Sequence, residues 1–174
     1  MIIKLEDGKA YNDKITQSEL DGLESSLRAL TNNHFQVRAI RYHDLVFSGN
    51  QIIAKDNRII GIKQGDTIQV SGSILNNGLY VVSSIDDSII TVEHEVHEVY
   101  ESSAFLTLVK YPAEIKAGVI KLIKYDAEMI GKTGVKSRTI SRMSESYFDA
   151  ADTINGYPAH LMSFIEPYRC LRWS

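Results

Sequence analysis

Residues 93–101 read EHEVHEVYE, which places two imidazoles and four carboxylates within nine positions. A zinc-binding helix needs His-Glu-x-x-His, because that spacing puts both imidazoles on one face. Here His94 and His97 are only three apart. On a strand, residues three apart point to opposite faces, so the pair cannot easily share an ion. The spacing predicts a charged, solvent-facing strand or hairpin carrying Glu93, Glu95, Glu98 and Glu101, with no metal. Cys170 has His160 nearby in sequence and Arg169 and Arg172 beside it. A nucleophilic thiol also needs a base within reach and a third group to orient that base, and no such group is evident. Cys170 therefore reads as a free cysteine packing the last segment. Gly131-Lys132-Thr133 is a fragment of a phosphate-binding loop, but it follows a helical pattern and not a strand. No Gly-x-Ser-x-Gly elbow occurs. These motifs predict no enzyme and no cofactor.

Residues 134–148, GVKSRTISRMSESYF, carry three cations, Lys136, Arg138 and Arg142, among five hydroxyl side chains before Tyr147. As a strand, Val135, Ser137, Thr139, Ser141 and Met143 would share one face and Lys136, Arg138, Ile140 and Arg142 the other. Two readings stand. One is an exposed edge that pairs with another chain. The other is a hairpin folded back on its own subunit.

The flanking pattern predicts what holds these runs. Thr16 and Glu19 form a capping-box signature, Ile15 and Leu20 a hydrophobic staple, and Leu20, Leu23, Leu27 and Leu30 one apolar face. A helix over 16–32 ending at Asn32-Asn33 follows. From Phe35 to Tyr111 the apolar period shortens to two, and Asn77-Gly78 and Asp86-Asp87 read as tight turns. Five to seven antiparallel strands in a small barrel or curled sheet are expected there. Pro112 opens a second helix over 113–131, with Ile115, Val119, Leu122, Ile123 and Ile130 on one stripe. Gly156-Tyr157-Pro158 opens a third over 158–166, which Pro167 should end or kink. The expected class is α+β. Three main helices form a small bundle, with an inserted antiparallel β barrel or sheet and an extended strand or hairpin before the last helix. The expected domains are 1–34 with 112–174, helical, and 35–111, β.

The 174 residues are 44% apolar and 24% charged, enough for a packed core. The net charge of −3 argues against broad binding to phosphates. A single cysteine excludes an internal disulfide and fits a reducing compartment. MIIKLEDGKAYNDK is not a secretory leader, and no run reaches the roughly 20 apolar residues of a membrane span. A soluble protein made in a cytoplasm is expected.

Several of these stretches resemble the head–tail connector, or adaptor, proteins of tailed bacteriophages. The resemblance rests on VKSRTISRMSESYF after a proline-initiated helix, the Gly-Tyr-Pro helix start and the ending IEPYRCLRW. ITQSELDGLESSLRALTNNHFQ is similar to the first helix and Thr-Asn-Asn turn of members from phages of Gram-positive hosts. It covers about residues 10–40 and 112–173. The β block departs from the family's compact, mostly helical pattern. GDTIQVSGSILNNGLYVV is similar to small β modules of phage neck and tail proteins.

The resemblance implies a non-enzymatic virion neck protein. It would form a ring, usually of twelve subunits, between the portal and a tail-side neck protein, and help retain and pass genomic DNA. Duplex DNA would pass without sequence-specific binding, and no membrane is involved. The run 134–148, with Lys136, Arg138 and Arg142, would contact the portal or a neighbouring subunit. Tyr168, Arg169, Arg172 and Trp173 match the family's portal-docking terminal segment. The carboxylates Glu93, Glu95, Glu98 and Glu101 would face the DNA channel, where like charge lets the duplex slide. The competing expectation is a cytoplasmic β-barrel module that binds nucleic acid or a peptide. Residues 66–92 contain one aromatic, Tyr80, and no Lys or Arg, which weighs against single-strand stacking.

Overall fold

The computed structural model describes residues 1–55, 58–129, 137–140, 143–146 and 153–171. It divides into two compact units: Met1 with His34–Lys110, and Ile2–Asn33 with the chain from Tyr111 onward.

The first unit is a closed antiparallel barrel. Its strands are β1 (Gln36–Ser48), β2 (Gln51–Ala54), β3 (Thr67–Ser71), β4 (Gly78–Asp86), β5 (Ile89–Val92) and β6 (Val99–Val109), in the cyclic order β1-β2-β5-β4-β3-β6. Residues two apart supply the core: Leu45 and Phe47, Ile52 and Ala54, Ile68 and Val70, Ile90 and Val92, and Ala104, Leu106 and Leu108. That period places one side of each strand inside. The 13-residue β1 pairs with both β2 and β6, and its register with β6 slips between His43 and Leu45. Asp44, at φ 55°, sits at that slip, and such a bulge bends a strand enough to close a barrel.

The second unit contains α1 (Leu5–Lys9), α2 (Gln17–Thr31), α3 (Ala113–Met129), the strand pairs β7 (Ser137–Ile140) with β8 (Met143–Ser146) and β9 (Thr153–Ile154) with β10 (Tyr157–Pro158), α4 (Ala159–Met162) and a 3-10 turn (Ser163–Tyr168). α2 starts with the capping box: the Glu19 amide donates to Thr16 Oγ1 at 3.3 Å, and the Thr16 amide donates to Glu19 Oε2 at 2.7 Å. The helix ends at Asn32 in the left-handed conformation, φ 49°. Thr16→Ala removes one of the two reciprocal bonds, and a loss of about 1 kcal/mol in thermal or urea unfolding is expected. α3 buries Ile115, Val119, Leu122 and Ile123; Ile130 lies outside the described residues.

Three expectations are corrected here. First, the fold is not a three-helix bundle carrying an inserted barrel. The closed barrel is a compact unit in its own right, and the third main helix over 158–166 does not form. In its place are a four-residue α turn and a six-residue 3-10 turn that contains Pro167. The eight residues between Pro158 and Pro167 are too few for a stable helix, and proline removes a donor and crowds the preceding turn. Second, Asn77-Gly78 does not form the expected tight turn between strands. β3 stops at Ser71, β4 starts at Gly78, and the residues between form a broader loop. Third, residues 93–98 form no strand but an irregular link between β5 and β6.

Candidate functional site

The loop Gly72–Asn77, at one end of the barrel, is held almost entirely by side-chain-to-backbone bonds. Ser73 Oγ accepts from the amides of Leu75 at 3.2 Å and Asn76 at 2.8 Å. Asn77 Oδ1 accepts from the Ser73 amide at 3.0 Å, and its amide group donates back to the Ser73 carbonyl. The Ile74 amide donates to Glu101 Oε1 at 2.7 Å. Four consecutive amides, 73 to 76, are thus satisfied by polar side chains, as turn-forming Ser and Asn commonly do. Gly72 has φ +73°, and a Cβ there would lie 2.9 Å from the Ser103 carbonyl oxygen, so the loop leaves the barrel through a position that favours glycine.

Asn76 ties this loop to the irregular link. It is 1% exposed, donates to the His97 carbonyl at 2.9 Å and accepts from the His97 amide at 2.8 Å. Its own carbonyl accepts from Tyr80 Oη at 3.0 Å. What remains outside is apolar: Ile74 is 86% and Leu75 57% exposed.

The four carboxylates are not equivalent. Glu93, Glu95 and Glu98 are exposed, with Glu98 3.5 Å from Ser48 Oγ. Glu101 is 6% exposed, shares the barrel-facing side with its partner Leu45, and serves the loop. Burial removes it from any solvent-facing acidic surface. Its second oxygen, Oε2, has no hydrogen-bond partner among the described residues. His94 and His97 are both exposed, and no group of three or more His, Cys, Asp or Glu among the described residues is arranged to hold a metal ion.

In the helical unit the terminal segment is pinned to the end of α2. The Cys170 amide donates to the Thr31 carbonyl at 2.8 Å, Asn33 Nδ2 to the Tyr168 carbonyl at 3.0 Å, and Asn32 Nδ2 to the Leu171 carbonyl at 3.2 Å. The Cys170 thiol is exposed and does not pack the segment as expected; the backbone performs that task. Tyr168 Oη donates to the Glu114 carboxylate, and Arg169 makes an exposed ion pair with Glu166 at 3.3 Å. Arg138 lies opposite Glu145 in the register of β7 with β8, so Ser137–Ile140 and Met143–Ser146 pair with each other within the chain. Lys136, Arg142, Arg172 and Trp173 lie outside the described residues.

One cleft went unread in the sequence. It has a volume of about 520 Å³ and is lined by residues that include Glu19, Leu23, Asp126, Met129 and Tyr157. Tyr157 Oη donates to Asp126 Oδ2 at 2.6 Å, clasping the β9–β10 turn to α3. Burial raises the Asp126 carboxyl, the Tyr157 bond opposes that shift, and Glu19 adds to it. Burial, then the Asp126 bond and charge, push the Tyr157 phenol well above its ordinary value. The donor and acceptor satisfy each other, so the pair works as a structural clasp. Asp126 and Tyr157 are 31 residues apart, and no local pattern joins them.

No protein-family model matches the chain, and no curated protein matches it.

Proposed function

We propose that the chain is a structural virion neck protein, a subunit of an adaptor ring between a portal and the tail-side components. The observation that carries this reading is the terminal segment. Three bonds from α2 and its cap fix the backbone of residues 168–171, while Leu171 stays 79% exposed. A chain end held in a fixed path and carrying unburied apolar surface is preorganised for another protein. Arg172 and Trp173 follow it, and Arg and Trp are residue types that often anchor interfaces. The β7–β8 pair with Arg138 supplies a second contact in this reading, and the ring has twelve subunits. Glu93, Glu95 and Glu98 face the passing duplex; Glu101 is excluded by its burial. The acidic barrel end repels phosphates, which favours this role over nucleic-acid capture by the barrel.

The test is the native mass of the protein alone and mixed with the portal of the same phage. Wild type is expected to form a ring on the portal. Arg138→Glu, and a truncation after Leu171 that keeps the pinned segment, are expected to lose assembly with unchanged melting temperatures. A wild type that stays monomeric beside its portal overturns the proposal, as do variants that assemble normally.

A further inference from the structure

We propose that the cleft lined by α2, α3 and the β9–β10 turn binds an alkylammonium group: the Glu19 and Asp126 carboxylates take its charge, and Ile15, Leu23 and Met129 cover its aliphatic stem. The inference rests on the helical unit alone and does not depend on the neck reading.

The cleft joins segments that are distant in the chain. Glu19, Gly22, Leu23 and Ser26 follow helical spacing along one face of α2, Asp126 and Met129 come from α3, and Tyr157 comes from the β9–β10 turn. A volume of about 520 Å³ suits a small-molecule site, and so does a lining of apolar walls with a few convergent polar groups. Gly22 keeps the space open. Glycine inside a helix costs about 1 kcal/mol relative to alanine. No packing demands it here, because nothing lies within 4 Å of an added Cβ. A longer side chain at that position would fill the cleft instead.

The charges identify the ligand. Bonds from the Thr16 amide and hydroxyl hold the Glu19 carboxyl below its ordinary range, so Glu19 is ionised at neutral pH. Asp126 is half-buried, takes its hydrogen bond from a neutral phenol, and forms no ion pair among the described residues. Glu19 acts on it as a like charge close by. Lys14 also lines the cleft but pairs with neither carboxylate. Two carboxylates facing one space repel an anionic ligand, and covering them with a neutral one is costly. A divalent metal fits poorly, since it takes roughly six or more oxygen ligands. No group of three or more His, Cys, Asp or Glu among the described residues is arranged to hold one. An ammonium head on an apolar stem matches both parts of the lining.

The test titrates the full-length protein with hexylamine by calorimetry, with 1-hexanol and hexanoate as neutral and anionic counterparts. Amide NMR shifts locate the binding. Hexylamine should bind at least about tenfold more tightly than either counterpart, with shifts centred on Leu23 and Met129. A peptide with an internal lysine is the second probe, and the tighter of the two amines tells a free amine from a partner's lysine side chain. Asp126→Asn keeps an acceptor for Tyr157, and Glu19→Gln keeps the capping box, which glutamine also completes. Each should weaken hexylamine about threefold and the double variant at least about tenfold, with cooperative unfolding retained. Gly22→Leu should block the cleft and abolish binding while α2 persists, because leucine is the better helix former. The proposal is overturned if hexylamine binds no better than hexanol or shifts residues outside the cleft. Wild-type affinity in Gly22→Leu or in the double carboxylate variant also overturns it.

Discussion

Gly118→Ala is expected to destabilise the helical unit by about 2 kcal/mol, against the direction that helix propensity alone predicts. Alanine is favoured over glycine by about 1 kcal/mol in a helix interior. At this position, however, a Cβ would lie 2.4 Å from Cγ and Cδ2 of Phe164 and 2.5 Å from its Cδ1. Those atoms are the base and flank of a ring lying against the α3 backbone, not the free end of a flexible chain. Phe164 lies in a turn whose residues Met162 and Ile165 are fully buried, which limits how far the backbone can shift to move the ring. Overpacking of this kind costs about 1–3 kcal/mol beyond any gain in propensity. Gly22→Ala in α2 is the control. Nothing lies within 4 Å of its added methyl group, so a gain of about 0.5–1 kcal/mol is expected. Urea unfolding followed by circular dichroism reads both signs. In a Phe164→Ala background the Gly118→Ala penalty should vanish, which isolates the pair. A penalty that persists without the ring would show that the clash is not its cause.

The second large effect centres on Glu24, which is 4% exposed in the middle of α2. Its Oε1 accepts from Tyr111 Oη at 2.7 Å and its Oε2 from the Ile2 amide at 3.2 Å. Arg28 Nη1 donates to the same phenol oxygen at 3.2 Å. Glu24→Ala deprives two donors of an acceptor, and a loss of about 2–4 kcal/mol is expected. Tyr111→Phe, which removes one donor to a carboxylate, should cost about 1.5–3 kcal/mol near neutral pH. The pH dependence has a definite sign. Burial first, then the charge and bond of Glu24, raise the Tyr111 phenol well above its ordinary value of 10.0. Above that value the unfolded chain releases the proton while the folded chain keeps it. The stabilisation is therefore whole below pH 10 and declines as pH rises toward the folded-state value. Wild type should lose stability faster than Tyr111→Phe through the alkaline range, so the gap between them narrows. Parallel curves would show that the phenol does not titrate differently in the two states.

The elements were legible wherever their stabilising interactions are near neighbours in the chain. Thr16 and Glu19 are three residues apart, and their reciprocal bonds form as the residue types require. Ile115, Val119, Leu122 and Ile123 recur at helical spacing and are buried together, and the barrel interior follows the two-residue period. Between Pro158 and Pro167 local signals misled: the α turn starts after Pro158 but stops at Met162, well before Pro167, which lies inside the 3-10 turn that follows. At Ser73-Ile74-Leu75 they misled again. Three residues with strand-like composition lie just before an Asn-Gly pair, yet the Ser73 and Asn77 side chains bond the loop backbone and the aliphatic side chains stay outside.

The candidate surface was barely readable, and the reason is physical. Glu101 looks like its neighbours Glu93, Glu95 and Glu98 in composition, yet it lies buried and braces a loop 27 residues earlier in the chain. Glu24 meets Tyr111 across 87 residues. Capping and periodic burial depend on energies set within one or two turns of chain, so residue order alone decides them. Whether a carboxyl is buried or an isoleucine is left in water depends on which distant segments arrive to bond or cover it, and barrel closure and helix packing settle that.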